Sequence, residues 1–384
     1  MNLTEQFTIP SKKSEAWRYF PTPFFKKQSL TLLPGLSEGT SSYAELPERV
    51  DRDGQSNLIT FLDGRLTNRV AIDGISMDLT RKPLDTAAYH EDNVLVGLND
   101  AAELLEIRVS KTPASPVLID FTVSGNQEGL STPTILVRVE KGVHFELYTR
   151  HLGDSDTVFE NYVMEFFIAD DARLEYLSVK TGQRPMSDST VYHVGANSFM
   201  NASYIAPYTE LTRHDIEVYL KGEKTKAYLN GLSILKDEQH FGFKTRVHHQ
   251  VPECESYQHF KNILTGQGTS EYNGLVEVYR DAQLTDSYQL NRNLILSDSA
   301  KAYSRPQLRI FADDVKCSHG STTGQIQESE ILYLMSRGLT RVQAHAILVF
   351  GFADEVLESA KCEFAHDEVR ALLKESLANL GEIS

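Results

Sequence analysis

The chain has 384 residues, 41% apolar and 24% charged, the balance of an ordinary globular protein with room for a large core. Its 53 acidic and 38 basic side chains leave a net charge of -15, which argues against nucleic acid or an anionic membrane as the main partner, because both need a basic face. The three cysteines, Cys254, Cys317 and Cys362, are far apart and odd in number, so no disulfide framework is expected.

That cysteine usage fits a reducing, cytoplasmic location. The N-terminal run MNLTEQFTIPSKKSEAW lacks the apolar core of a signal peptide, and no apolar run reaches the roughly 18 residues of a membrane span. Residues 14–20 are expected to form a short helix with Ser14 as its cap and with Pro21 and Pro23 ending it. Trp17, the single tryptophan, reads as a packing anchor. Residues 34–57 are rich in turn formers and charge and read as loops with room for one short helix. Residues 58–66, LITFLDGRL, read as a strand followed by an Asp-Gly turn, the first half of a hairpin. The spacing of Leu98, Ala101 and Leu105 predicts a helix within 93–110, starting near Asn99 or Asp100. Residues 1–112 then form a mostly helical N-terminal domain with one hairpin.

From about Pro116 the texture changes to short β-type runs separated by turns, and residues 113–318 read as an all-β core. A weak echo runs through it. A turn residue, then Ala or Val, then a polar residue precedes many strands, as at Gly142-Val143-His144, Asp171-Ala172-Arg173, Asp281-Ala282-Gln283, Ser299-Ala300-Lys301 and Asp314-Val315-Lys316. Stacked coils of a β-solenoid would place such a small residue inward at each turn, although on these residues alone a β-sandwich fits almost as well. A solenoid ends in open strand edges, which invite pairing with another chain. The last coils, near residues 290–318, are therefore expected to meet either a second copy of this chain or a related one.

Residues 319–384 read as three short amphipathic helices. The first covers 327–337 and stops at Gly338, with Ile331, Leu334 and Met335 apolar. Thr340 and Gln343 form a capping box for the second, whose stripe is Ala344, Ile347, Leu348 and Gly351. Asp367 caps the third, with Val369, Leu372, Leu373, Leu377 and Leu380 on one face. These helices either cap the solenoid end or also present a surface to a partner.

Two separated segments carry a family resemblance. Cys317-Ser318-His319-Gly320, then Thr322, Thr323 and Gly324, then Leu332-Tyr333-Leu334 and Ser336-Arg337-Gly338 resemble the C-terminal signature of the SufB/SufD family, on its SufD side. These are scaffold subunits of the SUF iron–sulfur cluster assembly system. Some 300 residues upstream, Glu15-Ala16-Trp17-Arg18-Tyr19 resembles the family's E-x-W-[KR]-Y motif. His249, Pro252, Ser256 and Lys261 resemble a further segment, H-x-x-P-x-x-x-S-x-x-x-x-K, and so do the runs 281–286 and 291–294. The resemblance implies a right-handed parallel β-helix as the core and a non-catalytic scaffold. It implies pairing with SufB through the last coils, or a homodimer in isolation, and binding of the ATPase SufC through the C-terminal helices. An iron–sulfur cluster would assemble transiently on the complex. A SufB-type paralogue is the nearest alternative, but SufB places a Glu-containing motif where this chain has Cys-Ser-His-Gly.

The candidate chemistry centres on Cys317 and His319. Two apart in a strand, they share one side about 6–7 Å apart. A thiol and an imidazole suit an iron–sulfur cluster or another soft metal, although two ligands do not close a site. The resemblance implies a ligand role for His319 at the pairing interface. His249, Cys254 and His259 form a second-rank group, able to ligate if a coil brings them together. Asn291 and Asn293 read as satisfying turn backbone groups. Paired acids such as Asp170-Asp171 and Asp313-Asp314 read as turn residues. No P-loop, nucleophile-elbow or zincin motif is present. Besides the assembly scaffold, two other readings fit the residues: a β-solenoid interaction module without a metal role, and a carbohydrate-active β-helix with an acidic groove.

Overall fold

The structure, a computed structural model, describes residues 10, 12–26, 31–33, 57–80, 89, 93–99, 102–125 and 128–378. Its strands fall into two sheets that face each other across one core. Successive strands alternate between the sheets, so each pairs with the strand one coil away. Arg173–Lys180 lies parallel to Phe199–Ala206 in the first sheet, and Met186–Val194 lies parallel to Leu211–Leu220 in the second. The result is a parallel β-helix, as the family resemblance implies, of about eight turns. Its central strands are covered on both faces, which explains why several read as continuous runs without alternation. All but one residue of Val158–Ile168 is buried.

The echo in the sequence has a structural cause. Val143, Ala172 and Ala282 are buried in the central core, and Ala300 and Val315 pack against it. The 18- and 15-residue spacing from Ala282 to Ala300 to Val315 is one strand with its turn, half a coil rather than a full one. In-register partners in one sheet, such as Arg173 with Phe199 and Glu255 with Asp286, lie 26 and 31 residues apart. The turns stack as well. Asp171 and Asn197 have φ of 58° and 54°, and their amides donate to Ala196 O and Glu223 O of the following coil at 2.8 and 2.9 Å. Asp and Asn tolerate this left-handed geometry. Asp170 sits in the same turn, where its carboxylate accepts the Ala196 amide, as expected of a turn acid.

The N-terminal reading needs three corrections. The stretch 93–110 is not one helix: Val94–Asn99 is a 3-10 turn and Leu104–Val109 is a strand, parallel to Thr134–Val139. Leu105, Ile107 and Val109 point into the core, and that burial overrides the helical spacing. The hairpin at Asn57–Leu62 and Arg65–Asn68 is present, but its first strand also pairs parallel with Val117–Thr122. The two sheets thus take in strands upstream of residue 113, and Val315–Gly324 runs across residue 318. Finally, Ser14 makes no side-chain cap, the helix is only the 3-10 turn Glu15–Trp17, and a second turn, Thr22–Lys26, includes Pro23. The expected loops at 34–56 lie outside the described residues. Trp17 is an anchor as expected: it is buried with Phe20 and Phe25 against Leu98, Phe159 and Leu211, on the outside of the second sheet.

The two ends of the β-helix differ. At the first end, the antiparallel strands Arg65–Asn68 and Ile75–Thr80 close the sheets. At the last end, Val315–Gly324 and Lys301–Ile310 finish the first and second sheets, and among the described residues no strand pairs with their outer edges.

Not all of the C-terminal helices cap that end. They are α1 (Glu328–Ser336), α2 (Arg341–Ser359) and α3 (His366–Ala378). The stop at Gly338, with φ of 92°, and the Thr340–Gln343 capping box are as predicted. The helices α2 and α3 lie along the flank of the first sheet, where Val349, Ala353, Val356, Leu357, Val369 and Leu373 pack on Tyr148, Leu177, Ile205, Leu232 and Ile263. The buried stripe of α2 is Ala344, Val349, Ala353, Val356 and Leu357. It shares only Ala344 with the predicted stripe, and Ile347 is exposed. The flank buries the other side of the helix, where Val349, Ala353, Val356 and Leu357 meet its apolar surface. Leu380 lies outside the described residues.

Candidate functional site

The last coil brings the predicted pair to the open end. In Val315–Gly324, Val315 and Cys317 pack toward the core, and strand alternation puts His319 on the same side. The register sets Cys317 beside Ser287 and His319 beside Gln289 of the previous coil. One coil further in are Ser256 and Gln258. Cys317 is half-buried and His319 exposed, since no further coil covers them. Burial, then the Asp286 carboxylate, pushes the Cys317 thiol up to about 11. It is therefore a neutral thiol at neutral pH, and a cluster or metal ion would have to displace its proton.

Among the described residues no three His, Cys, Asp or Glu side chains gather as a metal site. Cys317 and His319 remain a two-donor set on the core-facing side of the last strand, at the open end of the β-helix. The second-rank group does not assemble. His249 faces the interior, where its Nε2 is 2.8 Å from Ser256 Oγ, and burial, then His248, pushes it down to about 3. Cys254 is buried in the core and donates to Gly222 O at 3.3 Å. His259 lies on the opposite face of its strand from Gln258, which points inward, and so projects away from His249.

The sequence reading missed a polar interior behind the end coil. The inward residues of Thr285–Ile295 are Thr285, Ser287, Gln289, Asn291 and Asn293, all buried. Asn291 and Asn293 are therefore mid-strand residues and not turn residues. Asn293 donates to Asn291 Oδ1 at 2.9 Å and accepts from Asn262 at 2.7 Å, forming a ladder across coils. The alternation T-x-S-x-Q-x-N-x-N is visible in the sequence and was the available signal.

The matched Lys261 has a defined job. Its side chain has 0% exposure, its Nζ donates to Phe352 O at 2.9 Å and pairs with Glu355, and it lies 4.4 Å from the Phe352 ring centroid. It fastens α2 to the β-helix.

The outward carboxylates of the second sheet do not form an acidic groove. Glu271 pairs with His240 at 2.7 Å, Glu277 with Arg309 at 3.0 Å, and Glu217 with Arg246 at 3.5 Å.

The family model described as "SUF system FeS cluster assembly, SufBD core domain" matches residues 121–352, more than half of the chain. The chain belongs to the SufBD family. Relatives cover nearly all of it. The iron-sulfur cluster assembly protein SufD of Escherichia coli is 26% identical over 96% of this chain and 89% of its own length. A SufBD family protein of Mycobacterium leprae is 27% identical over 97% of this chain and 92% of its own length. One from Synechocystis is 33% identical over 68% of this chain and 60% of its own length. SufBD membership places the protein in iron–sulfur cluster assembly by the SUF system. Among the described residues no helix is long and apolar enough to cross a membrane.

Proposed function

We propose that this SufBD protein is a non-catalytic, cytoplasmic scaffold subunit that pairs through its open last coil with a SufB-type paralogue. On this reading it binds a SufC-type ATPase through its C-terminal helices. A nascent iron–sulfur cluster, the cargo of the assembly, takes His319, and with it Cys317, as donors from this chain. The observation that carries the reading is that, among the described residues, no strand pairs with the solenoid's last edge and no third ligand joins the two donors there; a second chain would supply both. The exposed apolar residues Leu332 and Tyr333 of α1 and Val342 and Ile347 of α2 support a protein contact on the helical layer.

The test is co-purification of the full chain with the SufB- and SufC-like proteins of its own organism, then anaerobic cluster reconstitution on wild type and His319→Ala. The expected outcome is a stable ternary complex whose cluster yield falls in the variant while its melting temperature holds, because His319 is exposed. A complex with unchanged yield would reduce the chain to an interaction module without a ligand.

A further inference from the structure

One inward side chain of Thr285–Ile295 differs from its neighbours. Thr285 donates to Ala282 O at 2.9 Å, Ser287 meets Ser256 Oγ at 2.8 Å, and Asn291 and Asn293 belong to the ladder with Asn262. Gln289 has 0% exposure, and among the described residues neither its Nε2 nor its Oε1 has a hydrogen-bond partner. Burying an amide with both ends unbonded is costly, so such a group has a physical cause to be found.

The cause lies one coil in. Gln258 is the register neighbour of Gln289 on the same inward row, where a side-chain ladder would join the two carboxamides. Further along the same two strands, Asn262 and Asn293 make that kind of bond at 2.7 Å. The Gln pair does not, because the opposite wall takes Gln258 Oε1: Thr245 Oγ donates to it at 2.6 Å and the Tyr272 hydroxyl at 3.3 Å. Gln258 Nε2, like Gln289 Nε2, is then left without an acceptor among the described residues. Gly274 on the opposite wall keeps the approach to the amide clear. A Cβ there would lie 3.0 Å from Gln289 Nε2 and would collide with the Tyr272 hydroxyl. Outward along the row comes His319, at the end where no further strand pairs among the described residues.

We infer that Gln258 and Gln289 form a donor site for sulfide, free or held by iron, reached from the open end past His319. The unmatched groups set the class of ligand. Each carboxamide nitrogen carries two N–H donors, and Gln289 Oε1 is the one acceptor of the pair without a partner among the described residues, so the complement is a small anion. The inward rows of these last strands carry no Lys or Arg, the groups that phosphate or carboxylate would call for. Sulfide accepts N–H bonds, and bonds of this kind to cluster sulfur tune its potential. The inference rests on the scaffold reading above for the identity of the anion, and adds the groups that hold it.

The probe is bromide, a monoanion close to hydrosulfide in size. Crystals of the full chain grown in sodium bromide should show an anomalous-scattering peak within hydrogen-bond reach of both Nε2 atoms. The peak should be absent from Gln289→Leu and should be removed by anaerobic soaking in sodium hydrosulfide. Bromide found only elsewhere, as an adventitious ion, overturns the inference, and so does a peak that survives the substitution or the hydrosulfide. A second measurement is made in solution. Leucine replaces an amide that the isolated chain leaves unbonded, so Gln289→Leu should raise the melting temperature by about 2–4 °C. A fall of similar size would show that the amide serves the fold and would also overturn the inference. On the reconstituted complex, a more negative cluster potential in Gln289→Leu assigns iron-held sulfide to the site, and an unchanged potential assigns free hydrosulfide. Failure at the two amides would leave the ligand role of His319 untouched, and a cluster yield indifferent to His319→Ala would leave the bromide result standing.

Discussion

Replacing Lys261 with Met tests how the helical layer is held. The ammonium makes one charge-assisted hydrogen bond to Phe352 O, an ion pair with Glu355 and a cation–π contact with Phe352. Such a bond is worth about 1.5–3 kcal/mol, and the aromatic contact adds about 0.5–1. Burial opposes this, since it lowers the pKa of Lys261 against the pull of Glu355, and methionine recovers that desolvation. The net loss is about 1–2 kcal/mol. The apolar docking of Val349, Val356 and Leu357 is worth about 1.5–3 kcal/mol for each side chain, so α2 stays docked but opens more often. Hydrogen exchange should show protection of the α2 amides falling about tenfold while the solenoid strands keep theirs. Unchanged α2 protection would refute the anchoring role. Loss of protection throughout the β-helix would show that Lys261 serves the core instead.

Two further outcomes follow from buried titratable groups. Burial alone would raise Glu160, but Arg184 at 2.6 Å and His151 at 3.3 Å outweigh it and hold the carboxyl at about 2. Because this folded-state value lies below the unfolded one of 4.5, the stabilisation of about 3 kcal/mol is present above pH 4.5 and is lost as pH falls through 2. In urea titrations Glu160→Gln should lower stability by about that amount at pH 7 and converge with wild type in acid; a constant difference across pH would contradict the assignment. With its thiol pushed up to about 11, Cys317 should react slowly with iodoacetamide at pH 8 and accelerate up to and beyond pH 10 in a Cys254→Ala, Cys362→Ala background. A rate that levels off near pH 8.5 would mean the thiol does not feel Asp286 and the core as the structure has it.

The legible features were those encoded by neighbouring residues. Turn-Ala/Val-polar triplets marked the coils, Gly338 and the Thr340–Gln343 box marked helix ends, and the alternation around Cys317 and His319 placed them on one strand. The segment 93–110 failed because its spacing, Leu98, Ala101 and Leu105, matches a helix as well as a turn followed by a strand. Only pairing with Thr134–Val139, some 30 residues on, separates the two. The stripe of α2 failed for a related reason. Both of its sides are apolar, and which one is buried depends on the sheet flank it packs against, which the helix spacing does not contain.

By itself the sequence determined the class of fold, the family and the position of the candidate donors, because these depend on local periodicity and on ordered motifs. Which residues meet across coils was decided only by the tertiary structure. It left His249 facing the interior from the second sheet and His259 facing outward from the first, buried Gln289 behind His319, and aligned alternate charges up to Lys301, Arg305 and Arg309. The physical reason is that neighbours in a solenoid are set by inter-coil register. Register accumulates over coils of 26 to 32 residues whose lengths differ, and no single stretch of the chain contains it.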